Sequence, residues 1–336
     1  MRRLSGLSSR GQHPDNEKGA AGVVLAVLML VLVGVGAIAV DVGQIYAERA
    51  ELQNGADAGA LAGAQLCSAA GGCAPADATA VAAALAGQNS RDGVSNVRSV
   101  NLSVAGEVTV STSTINGSDG SGFLSRLFSS ALNTPAVSVG ATATAGWRYP
   151  ARGVSILPLA VAGCEFHEDG LPRKLLTHGG EAGAPDCAGR NPADQTVPGG
   201  FGWLRPDADG GCKVTAEVGQ WSTTSSGASI PAGCGEVFNS SLVGQTVALP
   251  VYAYSCKEIL AACTDSNVQY MIQKWAGFNV RGWNFPGSSS HDPDNVFHGN
   301  EKGLYGTFTG YSADPALFTG GSSTPNGNVI VVGLRK

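Results

Sequence analysis

The sequence predicts an α+β protein. A single N-terminal transmembrane helix continues into a second stretch of helix packed on a small antiparallel sheet, followed by an irregular β-rich, cysteine-containing domain. Three observations predict this: an uncharged apolar run over residues 20–40, an Ala/Gly-rich helical spacing over residues 44–66, and, from about residue 97, short alternating stretches separated by turns. The composition agrees. Charged residues are 14% against a usual quarter, and 48 glycines are about twice the usual share, so the chain is turn-rich and weakly charged. A hydrophobic fraction of 43% over 336 residues is enough to bury a core.

The run Ala20–Val40, AAGVVLAVLMLVLVGVGAIAV, has 21 residues without a charge or a strong hydrogen-bonding side chain. About 20 suffice to cross roughly 30 Å of hydrocarbon. Arg2, Arg3, Arg10 and Lys18 precede it against Asp15 and Glu17, which by the positive-inside rule keeps the N-terminus cytoplasmic. Residues 41–336 hold 17 of the 21 basic and 24 of the 26 acidic residues, so the exported part carries −7. A second reading is a cleaved secretory signal, since Ala37-Ile38-Ala39 fits an A-x-A site. Against it stand the length of the apolar run and a helical pattern that passes through the proposed cut. Both readings export the same domain.

Beyond the membrane, ten of the 23 residues from Gln44 to Leu66 are Ala or Gly, and Ile45 and Leu52 recur one heptad apart. Gly55, Gly59 and Gly63 form a row at i, i+4 and i+8, which lets another backbone or sheet come close. Each glycine costs about 1 kcal/mol of helix propensity, so such a row suggests a packing reason. A compositional bias toward Ala and Gly is the alternative source. An unbroken helix from Ala20 to Leu66 would be ~70 Å long, a stalk reaching out of the bilayer.

The stretch EKGAAGVVLAVLMLVLVGVGAIAVDVGQIYAERAELQNGADAGALAGAQ resembles the N-terminal module of the TadE/TadG-like proteins of the tight-adherence, or Flp, pilus system. The matching parts are Glu17 and Gly19 before the apolar run, the Ala39, Asp41, Gly43 exit, and ELQNGADAGALAGA. The last is similar to the family's Leu-Gln-x-Ala-x-Asp-Ala-Ala-Ala-Leu-Ala-Gly-Ala, with Gly55 and Gly59 where alanines are usual. The resemblance covers Glu17 to Gln65; PGGFGWL at 198–204 and VALPVYAY at 247–254 also look like segments of longer exported members. It implies a pilin-like helix and an accessory role in pilus assembly. The helix-packing and assembly residues are then Asp41, Gly43, Leu52, Gln53, Gly55, Asp57, Gly59 and Gly63. The implied partners are the membrane platform, pilins or pseudopilins, with the lipid bilayer held through residues 20–40. A prepilin leader cut would fall after Gly19, but the fifth residue beyond it is Val24, where pilins carry Glu.

After a Gly/Pro break at residues 71–75, ADATAVAAALAGQN reads as a second short helix. VRSVNLSVAGEVTVSTSTI reads as two strands around a turn at Ala105-Gly106, FLSRLFSSAL as a short helix, and AVSVGATATAGW as a third strand. A long helix on a sheet of three or four strands is the expected unit, resembling a pseudopilin head. The expected divisions are a cytoplasmic N-terminus at 1–19, the transmembrane helix at 20–40, an α+β exported domain at 41–148 and a β-rich domain at 149–336. The last holds GVSILPLAVAG, QTVALPVYAY and NVIVVGLRK as strands.

Cys67 and Cys73 lie in the first exported part; Cys164, Cys187, Cys212, Cys234, Cys256 and Cys263 lie in the second. An even count, all outside the cytoplasm, predicts disulfides. Cys67 is expected with Cys73 across the flexible Gly71-Gly72, and Cys256 with Cys263 is favoured among the 15 pairings open to the other six. The spacings do not fit a zinc site.

No metal, cofactor or catalytic residue is assigned. The sequence has no H-E-x-x-H, G-x-S-x-G or P-loop, and a formal G-x-G-x-x-A at Gly34 lies inside the membrane run. PDADGG at 206–211 and HDPDN at 291–295 offer the oxygens calcium takes, but solvated turns are the expectation. Larger family members carry a metal site with Asp-x-Ser-x-Ser; Asp265-Ser266-Asn267 departs from it and takes no such role. The acidic neighbourhood of His167 reads as surface. A net charge of −5 without an exported basic cluster argues against nucleic acid. An adhesive surface protein and an envelope hydrolase are the alternatives from other classes.

Overall fold

The computed structural model describes residues 17–69, 72–91, 93–94, 96–115, 122, 128, 137–178, 184–187, 196–208, 211–225, 229–256, 263, 268–285 and 290–335. The helix expected in FLSRLFSSAL lies almost wholly outside these residues, as do Asp265, Ser266, Asn267 and the three N-terminal arginines.

Helix α1, Glu17–Ala69, is a single helix of 53 residues, about 80 Å long. It contains no proline, and its Ala, Leu, Glu, Gln and Arg residues are strong helix formers that offset the glycines. It ends at Gly72, whose φ of 143° favours glycine and whose N–H donates to the Cys67 carbonyl at 2.7 Å. The Cys67–Cys73 disulfide closes this turn. Helix α2, Pro75–Gln88, then starts with proline in its first turn, where no helical N–H is required.

Both helices pack on a five-stranded sheet. Strands β1 (Val97–Asn101), β2 (Glu107–Ser113) and β3 (Gly140–Arg148) form an antiparallel meander, and the first turn is made by Gly106 at φ 81°. On β2, Val108, Val110 and Thr112 are buried toward the helices. The opposite face joins β2 to β3 through hydroxyl pairs, Thr109 with Thr144 at 2.8 Å and Ser111 with Thr142 at 3.2 Å.

The second body follows. Strands β4 (Arg152–Ser155), β5 (Leu159–Ala162), β6 (Pro172–Leu176), β7 (Phe201–Trp203), β8 (Val214–Glu217), β9 (Trp221–Thr223), β10 (Thr246–Ser255), β11 (Gln269–Asn284) and β12 (Gly303–Phe308) form a seven-stranded sheet and a β4–β8 pair. The large sheet runs β6-β12-β11-β10-β5-β7, with β9 beside the start of β11. Both its faces are covered. One face holds an aromatic cluster in which Trp203, Phe238 and Phe285 meet edge-on at 5.1–6.1 Å. The other stacks Tyr252 on Tyr270 at 4.3 Å and covers Trp275. PGGFGWL contributes β7 and VALPVYAY contributes β10, so these two stretches lie in one sheet with β5 between them.

The last strands, β13 (Tyr311–Ser312) and β14 (Val329–Arg335), return to the first sheet, giving the order β1-β2-β3-β14-β13. NVIVVGLRK, expected among the strands of the second domain, therefore completes the first sheet. Val329 and Val331 supply its buried positions, and Arg335 crosses over Gly146 to pair with Glu107 at 2.8 Å. Between β13 and β14, Thr319 and Ser322 bridge to Arg152 and Tyr149, and Phe318 packs on Trp275 at 5.1 Å. The returning chain holds the two bodies together.

The other cysteines pair as Cys164–Cys187, Cys212–Cys234 and Cys256–Cys263. Replacing Cys164 and Cys187 together by serine releases a 23-residue separation and should lower stability by about 3 kcal/mol. A urea melt of the detergent-solubilised chain should show a lower midpoint, with a slope no smaller because the uncrosslinked unfolded chain exposes more surface; an unchanged midpoint would mean that this bridge contributes nothing.

Candidate membrane anchor and assembly face

Helix α1 meets three environments in order. Its apolar segment is bare on every side: Leu25, Leu30 and Val33 point in different directions around the axis and are 60%, 76% and 68% exposed. None of its most apolar window is covered by protein, and by length and composition it can cross a membrane. Burial starts where the apolar run stops. Asp41 is only 5% exposed, and its Oδ1 accepts the Phe128 amide N–H at 3.1 Å.

Beyond Asp41, one face of α1 is progressively covered. Gln44, Ile45 and Glu48 are half-buried, and Leu52 is fully buried. The Thr112 hydroxyl on β2 donates to the Leu52 carbonyl at 3.0 Å, tying the sheet to the middle of the helix. Gln53 donates its side-chain amide to Asp57 Oδ1 at 2.8 Å, an i, i+4 bond along the helix. The stalk expected from the sequence is thus embedded along one side and not free.

The glycine row faces inward. A Cβ at Gly55 would sit 3.3 Å from the Ala86 Cα, one at Gly59 would sit 3.2 Å from the Ala82 Cβ, and one at Gly63 would sit 2.9 Å from a Val108 methyl. Moving forward along α1 thus moves backward along α2, which makes the helices antiparallel. Ala78, Ala82 and Ala86 are the buried face of α2, so two rows of small side chains meet and let the backbones approach. This second row was missed in the sequence. Its signal was the four-residue recurrence of alanine in ADATAVAAALAGQ.

Gly43 differs from the other residues singled out on this helix. It is exposed, and a Cβ there would meet nothing within 4 Å. The remaining seven, Asp41, Leu52, Gln53, Gly55, Asp57, Gly59 and Gly63, make contacts within the chain.

The acidic loops are occupied by their own folding contacts. Both Asp292 oxygens accept backbone amides, from Val296 and Phe297, while Asp207 accepts the Thr215 hydroxyl at 2.7 Å. Glu165, near His167, accepts the Gly200 amide at 2.9 Å. Among the described residues no three His, Cys, Asp or Glu side chains gather around a common point. A cleft of about 880 Å³ lies beside the end of α1, lined by Gln65, Ser68, Tyr149, Glu168, Phe308 and Tyr311. Burial, with the Glu168 charge second, raises the Tyr149 phenol above its ordinary value. The Leu171 amide, with Arg173, lowers Asp169. Glu301 is also lowered, first by the Lys174 ammonium at 2.6 Å and then by the His298 amide.

Residues 19–66 match the family model described as putative Flp pilus-assembly TadE/G-like. The match begins just before the apolar run and ends inside the packed face, so it covers the three environments of α1. No curated protein and no solved structure matches the chain.

Two outcomes follow from this geometry. Gly59→Leu should destabilise the folded part by about 1–3 kcal/mol through overpacking against Ala82. Gly43→Leu, in open space, should leave a urea midpoint no lower, and raised by the gain in helix propensity where that segment unfolds with the body; a midpoint lowered as far as that of Gly59→Leu would remove the packing role of the row. The lowered Glu301 carboxyl adds stability that is fully present above its unfolded value of about 4.3 and is lost as pH falls through its folded value. Glu301→Gln should therefore shrink the drop in melting temperature between about pH 6 and pH 3, and an undiminished drop would exclude this pair as a contributor.

Proposed function

We propose that this chain is a single-pass, membrane-anchored accessory component of Flp-type pilus assembly. Its N-terminus is cytoplasmic, its bulk is extracytoplasmic, and it works through protein contacts and not by catalysis. The observation that carries this reading is the family match at residues 19–66, which coincides with one continuous helix running from the bare apolar segment into the packed Ala/Gly face. The four cations before the apolar run support the orientation by the positive-inside rule. Four disulfides support an oxidising location for everything beyond it.

The partners in this reading are other assembly proteins: the membrane platform, pilins or pseudopilins. Because most of the small-residue row is occupied by α2 and β2, contacts with these partners fall to surfaces the row leaves open, among them the exposed side of α1 around Gly43. We take residues 41–148, completed by β14, as the assembly unit, and the β-rich body between them as a display element carried by it.

Deleting the protein should strongly reduce surface pili, counted by electron microscopy. Protease added to cells stripped of their outer layers should remove most of the chain and leave a fragment holding the N-terminus and the apolar run. Wild-type piliation in the deletion strain would refute the assembly role, and full protection from protease would refute the orientation.

A further inference from the structure

The contact between Asp41 and Phe128 fixes a level in the molecule. Asp41 is the first residue beyond the apolar run, one helical step of about 1.5 Å past Val40. Side chains on a helix lean toward its N-terminus, which here is the bilayer side, so the Asp41 carboxylate lies at or below the height of its own Cα. The Phe128 amide donates to that carboxylate at 3.1 Å. A residue 87 positions away in sequence is thus held at the edge of the hydrocarbon-length segment.

Phe128 itself is 44% exposed, a large apolar side chain outside the protein core. On α1, Ile38 and Val42, within three residues of Asp41 in sequence, are also exposed, and Tyr46 is 71% exposed five residues beyond Asp41. Aromatic rings with this placement suit the boundary between acyl chains and headgroups, where an apolar body and a polar edge are both accommodated. Asp41 explains why the level is so well defined. A carboxylate at the end of a hydrocarbon span needs a hydrogen-bond donor, and the backbone of residue 128 supplies one.

We infer that Phe128 enters the headgroup–acyl boundary of the leaflet on the exported side, so that the exported body rests directly on the bilayer. The partner of this surface is the membrane that α1 spans, and the inference rests on the anchor reading above. It makes Phe128 a second membrane contact, far in sequence from the first. With two contacts, the body has a fixed tilt relative to the membrane, whereas a lone helix would leave it free to swing.

The test uses the full chain in lipid nanodiscs, with p-benzoylphenylalanine placed singly at 33, 128 or 171. Position 33 lies in the middle of the apolar run, and 171 is an exposed leucine of the second body. After irradiation, intact mass spectrometry should find one added phospholipid at 33 and at 128, and none at 171. Lipid adducts at 33 without any at 128 would overturn the inference and leave the anchor intact. No adduct at 33 would overturn the anchor, and this inference with it. If the benzophenone disturbs the body, seen as a lowered melting temperature, the smaller p-azidophenylalanine at 128 gives the same readout with the same two outcomes.

Discussion

Everything beyond the apolar segment depends on how closely α1 approaches α2 and the first sheet. The approach is set by Gly55, Gly59 and Gly63 meeting Ala86, Ala82 and Val108, where an added methyl would lie only 2.9–3.3 Å from its neighbours. Glycine in a helix is unfavourable by about 1 kcal/mol relative to alanine, and here that cost is offset by contacts that only a bare backbone permits. Since α1 is one helix, the same packing determines where the apolar segment emerges and in which direction it points. Anchor and body are therefore mechanically one object.

The helix also resolves a conflict between two solvents. Its first half needs apolar side chains all round, because lipid surrounds it; its second half needs one small, buried face and one wet face. Asp41 marks the change, buried and hydrogen-bonded where the apolar run ends. Sequence alone locates this change well, because charge and hydropathy are local properties. It does not tell which partner covers the second half, because that depends on α2 and β2.

Other features divide along the same line. The turn at Ala105-Gly106, the strands on either side of it and the break before α2 were legible, because glycine and proline act on the residues beside them. The pairings Cys67–Cys73 and Cys256–Cys263 were legible for the same reason, being close in the chain. The pairing of β14 with β3 was not, since the alternation in NVIVVGLRK fits the edge of either sheet and only long-range packing selects one. Nor was the Asp41–Phe128 contact, for Asp41 looked like a boundary marker and Phe128 like part of a short helix.

The return of β14 makes the whole β-rich body an insertion within the first sheet. Val331 pairs with Arg148, so β3 waits for a partner that lies about 180 residues further along the chain. At ordinary synthesis rates that interval is on the order of 10–40 s, during which the β3 edge is open to any extended chain nearby. The emerging protein is thus least protected while the insert is still being made. Completion of the sheet doubles as a checkpoint: the helix-bearing unit acquires its closed form only after the entire insert has been made.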